Sequence, residues 1–257
     1  MADPRKGNSS TSPTGISGTK PAGATDERAA AQTVQRMFDE IAPRYDVANH
    51  VLSMNVDRLW WRRTARTFTH ILQRDQVRVL DLCAGTGDMS VALRAQGRSA
   101  VIYALDFSHQ MLRNGLSKYA SKQIQPVEGD ALRLPLPDNA VDLVVSAFGF
   151  RNLANYDAGL REIWRVLKPH GEVGILDFGE PGGLMGTLYR FYFRTILPRV
   201  GTLISGVRGP YEYLPASVEK FPSPQQMLGR MQAAGFRDVN WTPYTFGIAG
   251  LYRGKKQ

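Results

Sequence analysis

Two hydrophobic periodicities alternate through the larger part of the chain, from residue 75 onwards. Short runs rich in valine, isoleucine and leucine have the length of buried strands, and the stretches between them carry apolar residues three and four positions apart, as helices do. Strands that alternate with helices are typical of a Rossmann-like α/β fold, a mostly parallel sheet with helices on both faces. The predicted strands are 77–82, 101–105, 125–127, 141–147, 173–178, 238–244 and 246–253.

The N-terminal part of the chain follows a different pattern. Residues 1–25 are rich in serine, threonine, glycine and proline, so burial cannot offset the entropy lost on ordering, and we expect a disordered tail. Residues 26–74 contain an amphipathic helix that Pro43 ends and a second helix from Asp57. We interpret 26–74 as a helical cap or lid, with a structured linker as the alternative, on a core that fills 75–257.

The first predicted strand leads into a glycine turn with acidic neighbours. Gly85 and Gly87 allow left-handed backbone angles and a close approach of a ligand to the backbone. Asp106 ends the next strand, at a spacing where a carboxylate accepts hydrogen bonds from both hydroxyls of a ribose. A glycine turn alone also occurs where a strand simply leads into a helix, but the combination favours a nucleoside-containing ligand.

The charge of the turn distinguishes between two such ligands. A dinucleotide places its pyrophosphate at a helix N-terminus behind a fuller glycine motif, whereas here Ala84 precedes Gly85 and the carboxylate of Asp88 would repel a phosphate. Asp81 and Asp88 suit a cation, and S-adenosylmethionine carries a sulfonium and an ammonium group. We therefore predict S-adenosylmethionine rather than NAD, with Asp130 bonded to the adenine amino group.

The overall composition limits the compartment and the partners. The formal net charge is +9, which suits nucleic acid, anionic lipid or an anionic substrate. The single cysteine, Cys83, cannot form a disulfide within the chain, fits a reducing compartment, and is interpreted as a small residue at the end of a buried strand. The histidines lack metal-ligand spacing, so no metal is expected. We expect a soluble, cytoplasmic protein, since no run of apolar residues reaches the length of a membrane span and the N-terminus lacks the apolar run of a secretory signal.

A basic aromatic insertion is predicted at about residues 183–215. Its first part combines Arg190, Arg194 and Arg199 with leucine, phenylalanine and tyrosine. Such a helix can lie on an anionic membrane surface, which would make the protein peripherally membrane-associated. It can equally close a hydrophobic substrate pocket, and the sequence leaves both interpretations open.

Several motifs, in order along residues 33–254, resemble the ubiquinone/menaquinone biosynthesis C-methyltransferases, a family of class I S-adenosylmethionine-dependent methyltransferases. The family's usual methionine, histidine and glutamate are replaced here by Ala48, Asp57 and Asp177. Two further departures from the motifs are His170 and Gly179. The matching residues are Tyr45-Asp46, Asn49, Leu52-Ser53, Trp60, Asp81 to Asp88, Leu136 to Asn139, Phe148 to Asn152, Arg165 to Pro169, Gly171, Phe178, Tyr213 to Pro215, Ser217-Val218 and Phe221-Pro222.

The resemblance implies a fold, a substrate and a set of contacts. The sheet should have seven strands with the last one antiparallel, and the methyl acceptor should be a polyprenylated quinol. By matching position, Thr86, Asp106, Asp130 and Ala131 should contact the cofactor. Ala147 stands where some members have serine, so a contact there would come from its backbone.

Candidate groups for the acceptor side follow from the chemistry of a quinol ring. A ring carbon becomes nucleophilic when a neighbouring hydroxyl ionises, and Arg151 could stabilise that phenolate or orient a water molecule. Tyr45 could hydrogen-bond the quinol oxygen, and Asp46 or His50 could accept the ring proton. For each of these residues a purely structural role is the alternative.

Three other functions are weighed against this interpretation. The acceptor could be another small lipophilic molecule. A nucleic-acid methyltransferase would suit the positive charge, but residues 146–150, Ser-Ala-Phe-Gly-Phe, lack the N/D-P-P-Y/F motif of enzymes that methylate base amino groups. A non-catalytic binding module is disfavoured because Asp81, Gly85, Gly87 and Asp106 are all present. A homodimer is left open.

Overall fold

The computed structural model describes residues 17–21, 23–46, 50, 53, 55–179, 181–205 and 209–257. The strands are β1 (Arg78–Leu82), β2 (Val101–Asp106), β3 (Gln125–Glu128), β4 (Val141–Ala147), β5 (Leu167–Phe178), β6 (Arg237–Tyr244) and β7 (Ala249–Lys255). The helices are α1 (Glu27–Ile41), α2 (Val56–Thr67), α3 (Thr69–Leu72), α4 (Asp88–Gln96), α5 (His109–Ser121), α6 (Tyr156–Val166), α7 (Gly183–Phe191), α8 (Leu197–Ser205), α9 (Gly209–Lys220) and α10 (Pro224–Ala233).

The strands form one seven-stranded sheet in the order β3-β2-β1-β4-β5-β7-β6. Strand β7 runs antiparallel to both of its neighbours, β5 and β6, while the pairs from β3 to β5 are parallel. The fold predicted from the sequence is therefore confirmed, including the antiparallel last strand. The strand order reverses between β1 and β4, and the carboxyl ends of strands at such a point form a crevice where ligands of open α/β sheets bind.

Two hydrophobic clusters cover the two faces of the sheet. Adjacent residues of β1 illustrate this, because Val79 belongs to one cluster and Leu80 to the other, as the alternation of side chains along a strand requires. The first cluster includes Trp60 and Phe68 of the N-terminal helices, and the second includes Leu160 and Ile163 of α6. Burial of these side chains fixes the strand ends that carry the site.

The cap is attached at the carboxyl edge of the sheet. Asp26 caps α1 by accepting a hydrogen bond from the backbone N–H of Ala29 at 2.8 Å, and the side chain of Gln35 donates to the carbonyl of Phe107, directly after β2. From α2, the indole N–H of Trp60 donates to Thr245 at 2.8 Å. The cap thus lies over the strand ends. None of the helices in the described ranges combines the length and apolar character needed to cross a bilayer.

Two strands begin three or more residues away from their predicted starts. Strand β5 begins at Leu167 rather than at Val173, because Leu167 pairs with Val141 ahead of a register shift; the turn-like composition of 168–171 concealed this. Strand β7 begins at Ala249, since residues 245–247 form a short 3₁₀ turn.

The last part of the predicted tail, residues 17–21 and 23–25, also differs from the prediction. Thr19 is buried, its backbone N–H donates to the carbonyl of Leu153 at 2.8 Å, and its hydroxyl lies 2.6 Å from the Tyr213 hydroxyl. A Cβ atom on Gly18 would lie 2.1 Å from the same carbonyl of Leu153. This segment follows a groove that admits only a bare backbone at Gly18, a constraint that composition alone does not reveal.

Candidate active site

The glycine turn after β1 is fixed by bonds to both neighbouring elements. Gly85 and Gly87 have φ angles of +57° and +91°, as predicted for the turn. The N–H of Gly85 donates to Asp106 at 2.8 Å, and its carbonyl accepts a hydrogen bond from the Tyr119 hydroxyl at 2.7 Å. A Cβ atom on Gly87 would lie 2.3 Å from the ring of Tyr119. Gly87 therefore serves helix packing, and Gly85 faces the ligand side.

Two residues other than glycine also adopt left-handed angles where the strand order reverses. Cys83 follows β1 with φ +58°, and Phe148 follows β4 with φ +59°. A Cβ atom on Gly149 would lie 2.3 Å from the Cβ of Cys83, so the two loops are in close contact. Backbone strain of this kind collects at functional sites. Cys83 directly follows β1 and packs against the second hydrophobic cluster, as predicted, and it also lines the cavity.

Two buried carboxylates lie beside this turn. One oxygen of Asp81 accepts a hydrogen bond from the Ser90 hydroxyl at 2.5 Å, while its Oδ1 has no hydrogen-bond partner among the described residues. Burial raises the pKa of Asp81 to about 7, and the charges of Asp106 and Asp88 make smaller contributions in the same direction. The hydrogen bond from Ser90 acts in the opposite direction and lowers the pKa. Burial likewise raises the pKa of Asp106 to about 6 although backbone N–H groups bond to it. The site therefore favours a cation with hydrogen-bond donors.

One cavity of about 620 Å³ joins the turn to an aromatic chamber. Its volume lies in the range of small-molecule sites. Of the residues predicted for the cofactor, the wall includes Asp81, Gly85, Thr86, Asp106, Asp130, Ala131 and Ala147, and of those predicted for the acceptor it includes Tyr45 and Arg151. Gly87, Asp46 and His50 are not among the described residues that line it.

The aromatic chamber is built from the cap, two strand ends and the insertion. The ring of Phe148 lies 4.6 Å from that of Phe178 and 5.7 Å from that of Trp60. Side chains of α7, the π-helical turn Tyr192–Ile196 and α8 complete the wall, among them Phe191 and Ile196. The insertion thus does close an apolar pocket, which was one of its two predicted roles.

Arg151 brings a buried positive charge into this chamber. Its guanidinium lies 3.0 Å from Asp177, its backbone N–H bonds to the other oxygen of Asp177, and its Nη1 also donates to the Phe148 carbonyl. Burial raises the pKa of Asp177, while Arg151 acts in the opposite direction. The Nε of Arg151 is buried and has no hydrogen-bond partner in the described part of the chain. The role in stabilising a phenolate that the sequence predicts for Arg151 stays a prediction at this point.

Asp46 and His50 lie behind the cavity wall and contact other side chains. Asp46 accepts hydrogen bonds from Thr86 at 2.5 Å and from Lys118 at 2.7 Å. His50 lies 3.0 Å from Asp57, which itself lines the cavity. The proton-accepting role predicted for Asp46 and His50 stays a prediction.

Several residues that shape the site were not predicted from the sequence. Tyr119 and Lys118 on α5 contact the glycine turn, and Asp177 holds Arg151. The spacing of Gly115 and Tyr119, a small and a large residue one helical turn apart, was the available signal for Tyr119: a Cβ on Gly115 would lie 2.6 Å from the Tyr119 ring. The contacts of Lys118 join residues 30 to 72 positions apart, which no local pattern shows.

Residues 25–256 match the model of the ubiE/COQ5 methyltransferase family. The chain is 47% identical over 235 residues to a demethylmenaquinone methyltransferase of Deinococcus radiodurans, covering 90% of this chain and 96% of the relative. It is 44% identical over 223 residues to a protein of the same name from Thermus thermophilus, covering 86% and 100%. It is also 39% identical to the ubiquinone/menaquinone biosynthesis C-methyltransferase UbiE of Geotalea daltonii, covering 88% and 97%.

Solved structures share the fold at low sequence identity. A SAM-dependent methyltransferase from Aquifex aeolicus matches with a TM-score of 0.55 and 20% identity over 76% of this chain and 89% of the other. The [4+2]-cyclase SpnF matches with a TM-score of 0.63 and 17% identity over 88% and 96%. Because one of these folds belongs to a cyclase, the fold alone does not establish methyl transfer.

Proposed function

The chain belongs to the ubiE/COQ5 methyltransferase family, and on that premise we propose that it methylates a ring carbon of a polyprenylated quinol. The protein is an S-adenosylmethionine-dependent methyltransferase. Two relatives that cover most of the chain are named demethylmenaquinone methyltransferases, so a naphthoquinol is the first candidate acceptor. A benzoquinol is the second, because a further relative carries the name ubiquinone/menaquinone biosynthesis C-methyltransferase.

One observation carries the proposal: a single cavity combines a strained acidic turn with an aromatic chamber that holds one buried arginine. The turn suits a nucleoside that bears positive charge. The chamber suits a flat apolar ring with an ionisable oxygen. A transfer between two such molecules requires both to lie in one water-poor space.

The donor half of the cavity fits S-adenosylmethionine. The unpaired Oδ1 of Asp81 needs a hydrogen-bond donor, and an ammonium group supplies one together with a positive charge. Asp106 and Asp130 would hold the ribose hydroxyls and the adenine amino group, and Thr86, Ala131 and the backbone of Ala147 would complete the contacts. Bound there, S-adenosylmethionine supplies an electrophilic methyl group on sulfur.

On the acceptor side, Arg151 stabilises an ionised ring hydroxyl and Tyr45 donates a hydrogen bond to a quinol oxygen. The phenolate raises the electron density of the neighbouring ring carbon. That carbon would form a bond to the donor methyl carbon as the methyl–sulfur bond breaks, and the electron pair of that bond would leave with sulfur as the thioether S-adenosylhomocysteine. Phe148, Phe178 and Trp60 exclude water and hold the ring, and positioning of this kind contributes about 7–11 kcal/mol to catalysis. The ring proton then leaves to a base or to solvent, which restores the aromatic ring.

We also infer contact with an anionic membrane surface, which would deliver a lipophilic acceptor. Phe191 and Ile196 of the cavity wall are 58% and 39% exposed, and Phe246, next to the wall residue Thr245, is 78% exposed. The sequence from 183 to 205 carries arginines and neither aspartate nor glutamate. Exposed aromatic residues beside cations favour the interface of an anionic bilayer. A homodimer stays a prediction.

The decisive experiment is methyl transfer from labelled S-adenosylmethionine to chemically reduced demethylmenaquinol. A demethylated benzoquinol analogue and the Asp106→Ala variant are assayed in parallel. We expect label on a ring carbon of a quinol and its loss in the variant. If neither quinol is labelled while the donor binds, the acceptor assignment fails, and another lipophilic acceptor replaces it.

A further inference from the structure

A cluster of four side chains joins the cap to the donor half of the cavity. Asp46, in the cap, accepts hydrogen bonds from the Thr86 hydroxyl on one oxygen and from the Lys118 ammonium on the other, at 2.5 and 2.7 Å. Lys118 also donates to Asp88 at 2.8 Å, at the start of α4. Thr86 and Asp88 flank Gly87 in the glycine turn, and Asp46 directly follows Tyr45 of the cavity wall.

We propose that Lys118 is a positioning residue that acts through Asp46: the pair forms a latch that holds the cap closed over the methyl donor. The latch consists of Asp46, Thr86, Lys118 and Asp88. Because Asp46 directly follows Tyr45, the latch also holds Tyr45 beside the glycine turn. The latch opens when the donor product leaves. This inference rests on the donor half of the proposed function and is independent of the acceptor.

The charges of the latch explain why Lys118 is needed. Without its ammonium group, Asp46 and Asp88 would face each other across a turn that already holds the carboxylates of Asp81 and Asp106. Burial works against the charge of Lys118, but its hydrogen bonds to Asp46 and Asp88 outweigh burial and raise its pKa. Lys118 is thus the counter-ion that lets an acidic cap segment rest on an acidic turn.

The exposure of the latch explains how it can open. The side chains of Lys118, Asp46 and Asp88 are 29%, 33% and 24% exposed, whereas those of Arg151 and Asp177 are 6% and 0% exposed. Ion pairs that water reaches are weak and sensitive to salt. The cap is also held elsewhere, since the Ser108 hydroxyl donates to Asp39 of α1 at 2.5 Å. Opening of the latch therefore releases the part of the cap at Tyr45 and Asp46, while α1 and α2 stay attached on either side.

The test measures dissociation of S-adenosylmethionine without any acceptor. Trp60 and Trp61 line the cavity, so stopped-flow tryptophan fluorescence after mixing with excess unlabelled competitor follows donor release. We expect Lys118→Met and Asp46→Asn each to accelerate release about tenfold. Because both variants break the same interaction, the double variant should release the donor no faster than Lys118→Met. Lys118→Arg, which keeps the cation, should stay within about threefold of the native rate.

Two controls separate the latch from general charge effects and from misfolding. Lys122→Met removes an exposed lysine just beyond α5 and should leave release unchanged. In the native protein, raising the salt from about 0.05 to about 0.5 M should accelerate release towards the rate of Lys118→Met, which needs no variant to fold.

The proposal is overturned if release is unchanged in both single variants, if their effects multiply in the double variant, or if Lys122→Met acts like Lys118→Met. It is also overturned if Asp46→Asn lowers kcat with a quinol while donor release and the KM for the donor stay native. Asp46 would then be a proton acceptor. Since release is measured without an acceptor, failure of the quinol assignment leaves this test intact.

Discussion

Different forces build the two halves of the cavity, which are the donor half around the glycine turn and the acceptor half formed by the aromatic chamber. In the donor half, backbone hydrogen bonds, left-handed residues and buried carboxylates hold a turn between two adjacent parallel strands. In the acceptor half, aromatic rings from the cap, the strand ends and the insertion pack around one buried ion pair. The donor half therefore holds buried negative charge that stays unpaired until a cation binds. In the acceptor half the buried charges of Arg151 and Asp177 already pair with each other, and the Nε of Arg151 is left without a hydrogen-bond partner among the described residues.

The largest effect should come from breaking the ion pair of the acceptor half. Arg151→Met leaves the buried carboxylate of Asp177 without its partner, so we expect a loss of about 3–5 kcal/mol in the free energy of unfolding. Methyl transfer should fall by a factor of about 10²–10³, while donor affinity changes less than about twofold. Urea unfolding measures the loss of stability that the broken ion pair causes, and titration with the donor measures whether the donor half is unaffected.

A double variant separates the catalytic role of the Arg151–Asp177 pair from its contribution to stability. Arg151→Met with Asp177→Leu replaces the pair by apolar side chains and should regain most of the stability. Activity should stay lost. Recovery of activity along with stability would show that Arg151 serves only packing.

The second effect concerns the backbone of the donor half. Gly87→Ala introduces a Cβ atom 2.3 Å from the Tyr119 ring at a φ of +91°, so we expect a loss of about 2–4 kcal/mol and weaker donor binding. Gly85→Ala has open space at a φ of +57° and should cost about 1 kcal/mol. Gly229→Ala in α10 is the matched control, with no atom within 4 Å, and should be neutral or slightly stabilising. Equal losses at Gly85 and Gly87 would refute the role of Tyr119.

What could be predicted from the sequence follows the same division. The glycine turn, Asp81 and Asp106 are local features of strand ends, so periodicity and spacing were enough to predict them as ligand contacts. In the structure Gly85, Asp81 and Asp106 line the cavity. The acceptor half depends on contacts between distant segments. Composition could not show contacts of this kind anywhere in the molecule. Examples are the bond of Thr19 to Tyr213, the ion pair of Asp46 with Lys118 at the donor half, and the pairing of Leu167 with Val141 away from the cavity.

The third effect is a dependence on pH in the donor half. The pKa of Asp81 in the donor-free protein is raised to about 7, above its usual value of about 3.9. The folded state then binds more protons than the unfolded state between these values, so its stability falls as the pH rises through that window. A cationic donor favours the ionised carboxylate, so donor affinity should rise between about pH 5.5 and 7.5.

The variant Asp81→Asn tests the direction in which stability and donor affinity change with pH. At pH 8 it should stabilise the donor-free protein by about 2 kcal/mol, and at pH 4 it should have little effect, because the native carboxyl is then protonated as well. Donor affinity should fall and lose part of its pH dependence. Thermal unfolding at both pH values and titration calorimetry provide the measurements, and a destabilised variant at pH 8 would contradict the account.

The smallest effect on the folded protein is expected at the rim of the acceptor half. Phe246 is 78% exposed at a φ of +57°, and asparagine tolerates that angle, so Phe246→Asn should change stability by less than about 0.5 kcal/mol. Binding to anionic liposomes in a flotation assay should nevertheless weaken several-fold. Leu116→Asn, which removes an exposed apolar side chain on α5, is the control, and equal losses in both variants would argue against a rim-specific contact.

The size of the cavity bears on which molecules of a mixed quinol pool the protein can use. About 620 Å³ must hold the donor and the acceptor ring together, so a tail of several isoprene units has to extend out of the cavity, where Phe191 and Ile196 of its wall are exposed. Turnover should then depend on the ring and hardly on the number of isoprene units. One protein could thus process a pool of unequal chain lengths without a separate form for each.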